Sequence, residues 1–198
     1  MARLTDHGIA RSLDRGARLV RVSACLFAGI LFAARAGAVE LKVGDSAPLF
    51  SAQTQDGATF DLASRKGSWT VLYFYPKAGT PGCTTQACAF RDSIKAIRAE
   101  GAEVYGISAD TVAAQAAFKQ EHHLDFTLLA DPDDAVIDLY GAKMFFLSMS
   151  KRWTFLIDPQ LVIRDIERDV DPAIDAQRVA TAIAGLKQAD AAAPGALH

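Results

Sequence analysis

The chain has 198 residues and a formal net charge of −2 at neutral pH. That length suits one domain with a sizeable core, and the absence of a basic excess argues against a nucleic-acid partner. Apolar residues make up 51% and charged residues 22%, which excludes both a disordered chain and one embedded in membrane throughout.

The first segment reads as an export signal rather than as part of a fold. Arg11, Arg15, Arg18 and Arg21 precede an apolar run from Val22 to Ala34, and Ala36-Gly37-Ala38 fits a small-x-small cleavage site. The run is too short for a comfortable membrane span. Residues 1–38 are therefore expected to be a signal peptide, residues 39–188 the domain, and the Ala-rich residues 189–198 a disordered tail. The expected location is outside the cytoplasm, in the periplasm of a bacterial cell, with no stable membrane insertion after cleavage. Arg35 crowds the cleavage site, so an uncleaved anchor is the alternative. Removing residues 1–38 takes away six of the 21 Lys and Arg and two of the 23 Asp and Glu, leaving a more acidic chain. Only Cys83 and Cys88 then remain, an even pair that suits an oxidising compartment.

Beyond that segment the pattern alternates. Phe50 to Gln55 and Thr59 to Leu62, around Asp56-Gly57, predict an early hairpin. The unbroken run Trp69 to Tyr75 predicts a buried strand, and Phe90 to Ile97 an amphipathic helix. Glu103 to Ser108 reads as a strand, with Asp110 capping a helix from Thr111 to His122. Phe126 to Leu129 reads as a strand, and Asp131-Pro132-Asp133-Asp134 opens a short helix to Tyr140. Trp153 to Ile157 and Val162 to Glu167 predict an antiparallel pair. Asp171-Pro172 starts a last helix to about Gln188. Strands alternating with helices, closed by a hairpin and a helix, predict an α/β fold of the thioredoxin type: a central mixed sheet flanked by helices, with an N-terminal hairpin.

Between the buried strand and its helix lies Pro76-Lys77-Ala78-Gly79-Thr80-Pro81-Gly82-Cys83, with Cys88 five residues on. Thr80 suits an N-cap and Pro81 the first helical position, so Cys83 falls in the first turn. First-turn N–H groups lack intrahelical partners and favour a thiolate, the reactive form of cysteine. The bland alternative is that Cys83 is a small buried hydrophobe. Positions five apart on an ideal helix have Cα atoms roughly 8.7 Å apart, whereas a disulfide needs them within about 7 Å. A Cys83–Cys88 bond would therefore deform the helix, which suits a cycling site better than a static staple. Half a zinc site is the other alternative, but no second cysteine pair exists to complete it. Lys77, Gln86 and Arg91 are expected to be solvated or to pack along the helix. His122 and His123 are expected to be exposed at a helix end. For Met144, Phe145, Phe146, Leu147 and Met149, core packing is the default and a hydrophobic rim or partner face the sharper reading.

The run Tyr73-Phe74-Tyr75-Pro76-Lys77, Thr80-Pro81-Gly82-Cys83-Thr84, Ala87-Cys88 and Phe90-Arg91-Asp92 resembles the peroxiredoxins. Within them it is similar to the peroxiredoxin Q or bacterioferritin comigratory protein group, from about Val43 to the last helix. The resemblance implies that Cys83 is the peroxidatic cysteine and Cys88 the resolving one. It implies that the Thr80 hydroxyl bonds thiolate and peroxide and that Pro76 shields the thiolate from water. It also implies that Arg152 lies beside the cysteine; by pattern alone, an arginine at a strand start is a solvated charge. Two departures stand out: Gly141 to Lys151 is shorter than in many relatives, and Pro159-Gln160-Leu161 occupies a turn where glycine is common.

The expected function is thiol-dependent reduction of hydrogen peroxide and organic hydroperoxides, with recycling by a thioredoxin-like dithiol protein. No metal, haem or flavin cofactor is implied, and the expected assembly is a monomer or homodimer. The alternatives are a thiol–disulfide oxidoreductase of the same fold, against which the five-residue cysteine spacing argues, and a secreted domain with a structural disulfide.

Overall fold

The computed structural model describes residues 40–192. The expected export segment, 1–38, and residues 193–198 of the expected tail lie outside the described residues.

The early hairpin pairs β1 (Ser51–Thr54) antiparallel with β2 (Thr59–Asp61). The apolar run forms β3 (Trp69–Phe74), and α1 (Pro81–Ala99) follows it. Then come β4 (Ala102–Ser108), α2 (Val112–Glu121), β5 (Thr127–Ala130) and α3 (Ala135–Leu139). The chain closes with β6 (Trp153–Ile157), β7 (Ile163–Glu167) and α4 (Asp175–Ala192). The strands form one seven-stranded sheet in the order β2-β1-β5-β4-β3-β6-β7.

β3 lies between parallel β4 and antiparallel β6, and all six of its residues are buried. A strand covered on both faces needs no polar alternation, so its sequence is an unbroken apolar run. Its side chains still alternate between faces. Trp69, Val71 and Tyr73 join a core with Phe90 of α1, Phe118 of α2 and Val179 of α4. Leu72 and Phe74 join a second core with Val136 and Ile137 of α3. Phe90, Ile94 and Ile97 give α1 its apolar stripe at spacings of three and four. Each of these buried side chains contributes on the order of 2 kcal/mol.

The floor beneath α1 is aromatic. Tyr73 stacks on Phe90 with ring centroids 4.6 Å apart and on Tyr75 at 5.4 Å. Gly106 on β4 makes room for it: a Cβ there would stand 2.6 Å from the Tyr73 ring. Burial pushes both phenols well above their ordinary ionisation range, so they stay neutral.

Three details depart from expectation. Asp110 does not cap α2; Thr111 does, its hydroxyl accepting from Ala114 N at 3.3 Å. The last helix begins at Asp175 rather than after Asp171-Pro172, because Asp171 first closes a turn, accepting from Ala173 N at 2.9 Å and Asp175 N at 3.1 Å. That helix also runs past Gln188 to Ala192, so the first four residues of the expected tail are helical. Asp190 explains the extension, since both its oxygens accept from the Arg164 guanidinium, at 2.9 and 2.7 Å. In the β6–β7 turn Leu161 takes φ 63°, the left-handed region that non-glycine residues rarely adopt.

Candidate active site

The site forms where β3 gives way to α1. Tyr75 N donates to Ile107 O at 3.0 Å, which carries the sheet one residue beyond β3. Ser150 Oγ donates to Tyr75 O at 2.7 Å. The loop from Pro76 to Thr80 is then pinned by Asp110, whose Oδ2 accepts from Ala78 N at 2.8 Å and from Ser108 Oγ at 2.7 Å. Gln115 Nε2 donates to Ser108 Oγ at 2.8 Å, and the Tyr75 hydroxyl donates to Gln115 Oε1. Asp110 therefore orders the loop beside the cysteine instead of starting the next helix.

Thr80 occupies the N-cap position in extended conformation, with Pro81 at the first helical position. Its side chain does not cap; Oγ1 donates to Lys77 O at 2.9 Å. The hydroxyl proton is thus committed to the loop, and the oxygen keeps lone pairs that can accept a hydrogen bond. Cys83 is the third residue of α1 and only 1% exposed. Thr84 N already bonds Thr80 O at 2.9 Å, so the first turn is regular here.

Arg152 reaches this sulfur from the residue just before β6, the strand beside β3. Trp153 pairs with Phe74 in the antiparallel register, which sets Arg152 next to the loop. Its Nη2 donates to Cys83 Sγ at 3.3 Å. Gly82 permits the approach, because a Cβ there would lie 3.2 Å from Nη2. A guanidinium on the sulfur and a helix N-terminus beneath it both face this atom with positive charge.

Gln86, expected to be solvated or to pack within the helix, is instead fully buried in the site. Its Oε1 accepts from Arg152 Nη1 at 2.7 Å, and its Nε2 donates to Asp175 Oδ2 at 2.9 Å. Asp175 is 1% exposed and also accepts from Thr154 Oγ1 at 2.7 Å. No sequence pattern singles out either residue, since their partners lie 66 and 89 positions away. Arg91 and Lys77 stay outside the cluster: Arg91 donates to Asp92 and to His122 O, and Lys77 is exposed.

Cys88 is half-buried in the middle of a continuous α1, and both cysteines are free thiols. Pro76 is half-buried and walls a shallow pocket with Leu147 and Met149. The apolar segment does not enter the core as the default reading expects. Lys143 bridges Ser150, Met144 N donates to Met149 O at 3.0 Å, and this tight loop leaves Phe145 90% and Phe146 88% exposed.

The sequence profile of the AhpC/TSA family matches residues 43–166. The chain belongs to the AhpC/TSA family. It is 42% identical over 131 residues to a putative peroxiredoxin bcp of Coxiella burnetii, covering 63% of this chain and 87% of that one. It is 44% identical over 124 residues to a chloroplastic peroxiredoxin Q of Triticum aestivum, covering 62% of this chain but only 57% of that longer one. The fold is similar to the crystal structure of peroxidoxin BcpB from Mycobacterium tuberculosis, with TM-score 0.70, 32% identity, and coverage of 74% of this chain and 99% of that one. The thioredoxin-like architecture of the peroxiredoxins is therefore the fold of this chain, and thiol-dependent peroxidase chemistry is its function.

Proposed function

We propose that Cys83 is the peroxidatic cysteine and Cys88 its resolving partner. The observation that carries this reading is the Cys83 sulfur in the first turn of α1 with Arg152 Nη2 at 3.3 Å. The thiolate attacks one peroxide oxygen. An S–O bond forms, the O–O bond breaks, and the leaving oxygen takes a proton and departs as water or an alcohol. Cys83 is then a sulfenic acid. The Cys88 thiolate attacks that sulfur, an S–S bond forms, and the hydroxyl leaves as water. A dithiol reductant, a thioredoxin-like protein, restores both thiols by exchange. Arg152 holds the thiolate and the developing charge, the Thr80 oxygen accepts from the peroxide hydroxyl, and Pro76 keeps bulk water off the sulfur.

Hydrogen peroxide and organic hydroperoxides both fit this chemistry, and the exposed Phe145, Phe146 and Leu147 beside the Pro76 pocket favour an apolar R group. Peroxide consumption coupled to a thioredoxin and its reductase tests the assignment. The wild-type protein is expected to turn over, and Cys83→Ser to be inactive. Full activity in Cys83→Ser overturns it.

Residues 1–38 complete the reading as an export signal, supported by the Arg-rich start, the apolar run and Ala36-Gly37-Ala38. Intact mass from native cell envelope is expected to give a chain beginning near Val39. A soluble cytosolic species retaining Met1 contradicts export.

A further inference from the structure

We infer that Asp175, which does not contact Cys83, is a positioning residue for the peroxidase reaction: it fixes which way the Gln86 amide faces and so holds Arg152 on the sulfur. The inference rests on the peroxidatic role proposed for Cys83. Four hydrogen bonds carry it. Arg152 Nη2 donates to Cys83 Sγ at 3.3 Å and Nη1 to Gln86 Oε1 at 2.7 Å. Gln86 Nε2 donates to Asp175 Oδ2 at 2.9 Å, and Thr154 Oγ1 donates to the same oxygen at 2.7 Å.

The polarity of this chain is decided at Asp175. A guanidinium only donates and a carboxylate only accepts, whereas a glutamine amide does either at either end. With Asp175 on one side, the Gln86 NH2 must face it, and the carbonyl must face Arg152. The reverse orientation sets donor against donor and acceptor against acceptor. Gln86 is fully buried and Asp175 1% exposed, so bulk water does not repair such a mismatch.

The second carboxylate oxygen is also committed. Asp175 Oδ1 accepts from Arg178 Nε at 3.3 Å, and Arg178 is itself held by Asp165 Oδ2 at 2.5 Å. An asparagine at position 175 therefore has no satisfactory orientation. With Oδ1 toward Gln86, its NH2 meets the Arg178 guanidinium. With NH2 toward Gln86, the glutamine must turn its own NH2 to Arg152. Thr154 lies on β6 and Arg152 immediately precedes its first residue, so the placement of β6 sets both ends of the network.

A polarity swap tests this. Asp175→Asn is expected to slow oxidation of Cys83 by hydrogen peroxide by about tenfold or more, the worth of a hydrogen bond to a charged group. The combined variant Gln86→Glu with Asp175→Asn moves the carboxylate one link along the chain and keeps the net charge. The carboxylate now at position 86 accepts from Arg152 whichever way it turns. The amide now at position 175 donates its NH2 to that carboxylate and to the Thr154 oxygen, whose hydroxyl turns to accept, and its carbonyl oxygen accepts from Arg178. This double variant is expected to recover most of the wild-type rate in rapid-mixing fluorescence, with thermal unfolding measured alongside. A merely structural role for Asp175 does not produce such recovery. A wild-type rate in Asp175→Asn overturns the inference, as does a folded double variant no faster than the folded single one. If Asp175→Asn fails to fold, the double variant decides alone: a near-wild-type rate supports the inference, and a loss of tenfold or more, or failure to fold, overturns it. A wild-type protein inert to peroxide instead overturns the proposed function, and this inference with it.

Discussion

Arg152 Nη2 and Cys83 Sγ stand 3.3 Å apart although 69 residues separate them in sequence. The contact exists because β6 pairs with β3 in a register that sets Trp153 beside Phe74, and residue 82 has no side chain to crowd it. One guanidinium spans the sulfur and the Gln86 carbonyl at once. A planar fork is suited to that geometry and an ammonium is not.

Arg152→Ala is accordingly expected to lower the second-order rate of Cys83 with peroxide by about a hundredfold or more, as for other lost charge-stabilising donors. Arg152→Lys should recover little of it. Gly82→Ala pushes Nη2 by a few tenths of an ångström and should cost between about twofold and tenfold, with the fold intact. Single-turnover rapid mixing measures all three, and wild-type rates across the set would remove Arg152 from the mechanism.

Cys88→Ser should complete one turnover and stop. The Cys83 sulfenic acid then persists and is trapped by a dimedone-type reagent. In the wild-type protein the same reagent should compete with Cys88 and label weakly. Equal labelling of both proteins would mean that Cys88 does not resolve the intermediate.

Disulfide formation should unwind the start of α1. Both cysteines lie in a continuous helix, where positions five apart place Cα atoms roughly 8.7 Å apart, beyond disulfide reach of about 7 Å. The Thr84 N to Thr80 O bond is among those expected to break. Gln86 lies between the cysteines, so the same unwinding draws it away from Arg152 and Asp175. Amide exchange from Thr84 to Phe90 should be faster in the oxidised protein. Identical exchange in the two redox states would contradict the unwinding.

The framework of this site was legible where chemistry is local. Six consecutive buried residues mark β3 as central, and Thr80-Pro81-Gly82-Cys83 marks a helix start, because both signals sit in adjacent residues. Arg152 was legible only through family resemblance, since strand register rather than pattern brings it to Cys83. Gln86 and Asp175 carried no signal at all: a glutamine inside a helix and an aspartate near a helix start are ordinary until their partners are known. Asp110 misled for a related reason. An aspartate before a helix suits an N-cap, but a backbone N–H 32 residues upstream claimed its carboxylate, and the neighbouring Thr111 took the cap.

The end of α4 should respond to acid. Arg164 holds the Asp190 carboxyl below its ordinary value of 3.8 through paired hydrogen bonds. A carboxylate whose ionisation is easier in the folded state stabilises it above the ordinary value, and that contribution is lost as pH falls through the lowered one. Amide exchange at 187–192 should therefore rise below about pH 4 and, at neutral pH, in Asp190→Asn. The pair is exposed, so the effect should be small and should weaken with salt. Exchange there that ignores both pH and the substitution would show that Arg164 does not secure the helix end.

In the proposed cycle Cys83 takes the peroxide oxygen and Cys88 closes it. Titrating fully reduced protein with hydrogen peroxide, followed by thiol counting and peptide mapping, tests it most directly. One peroxide should be consumed for each two thiols lost, with Cys83 and Cys88 recovered in a single linked fragment and Cys83→Ser consuming none. Peroxide consumption by Cys83→Ser at the wild-type rate would contradict the account.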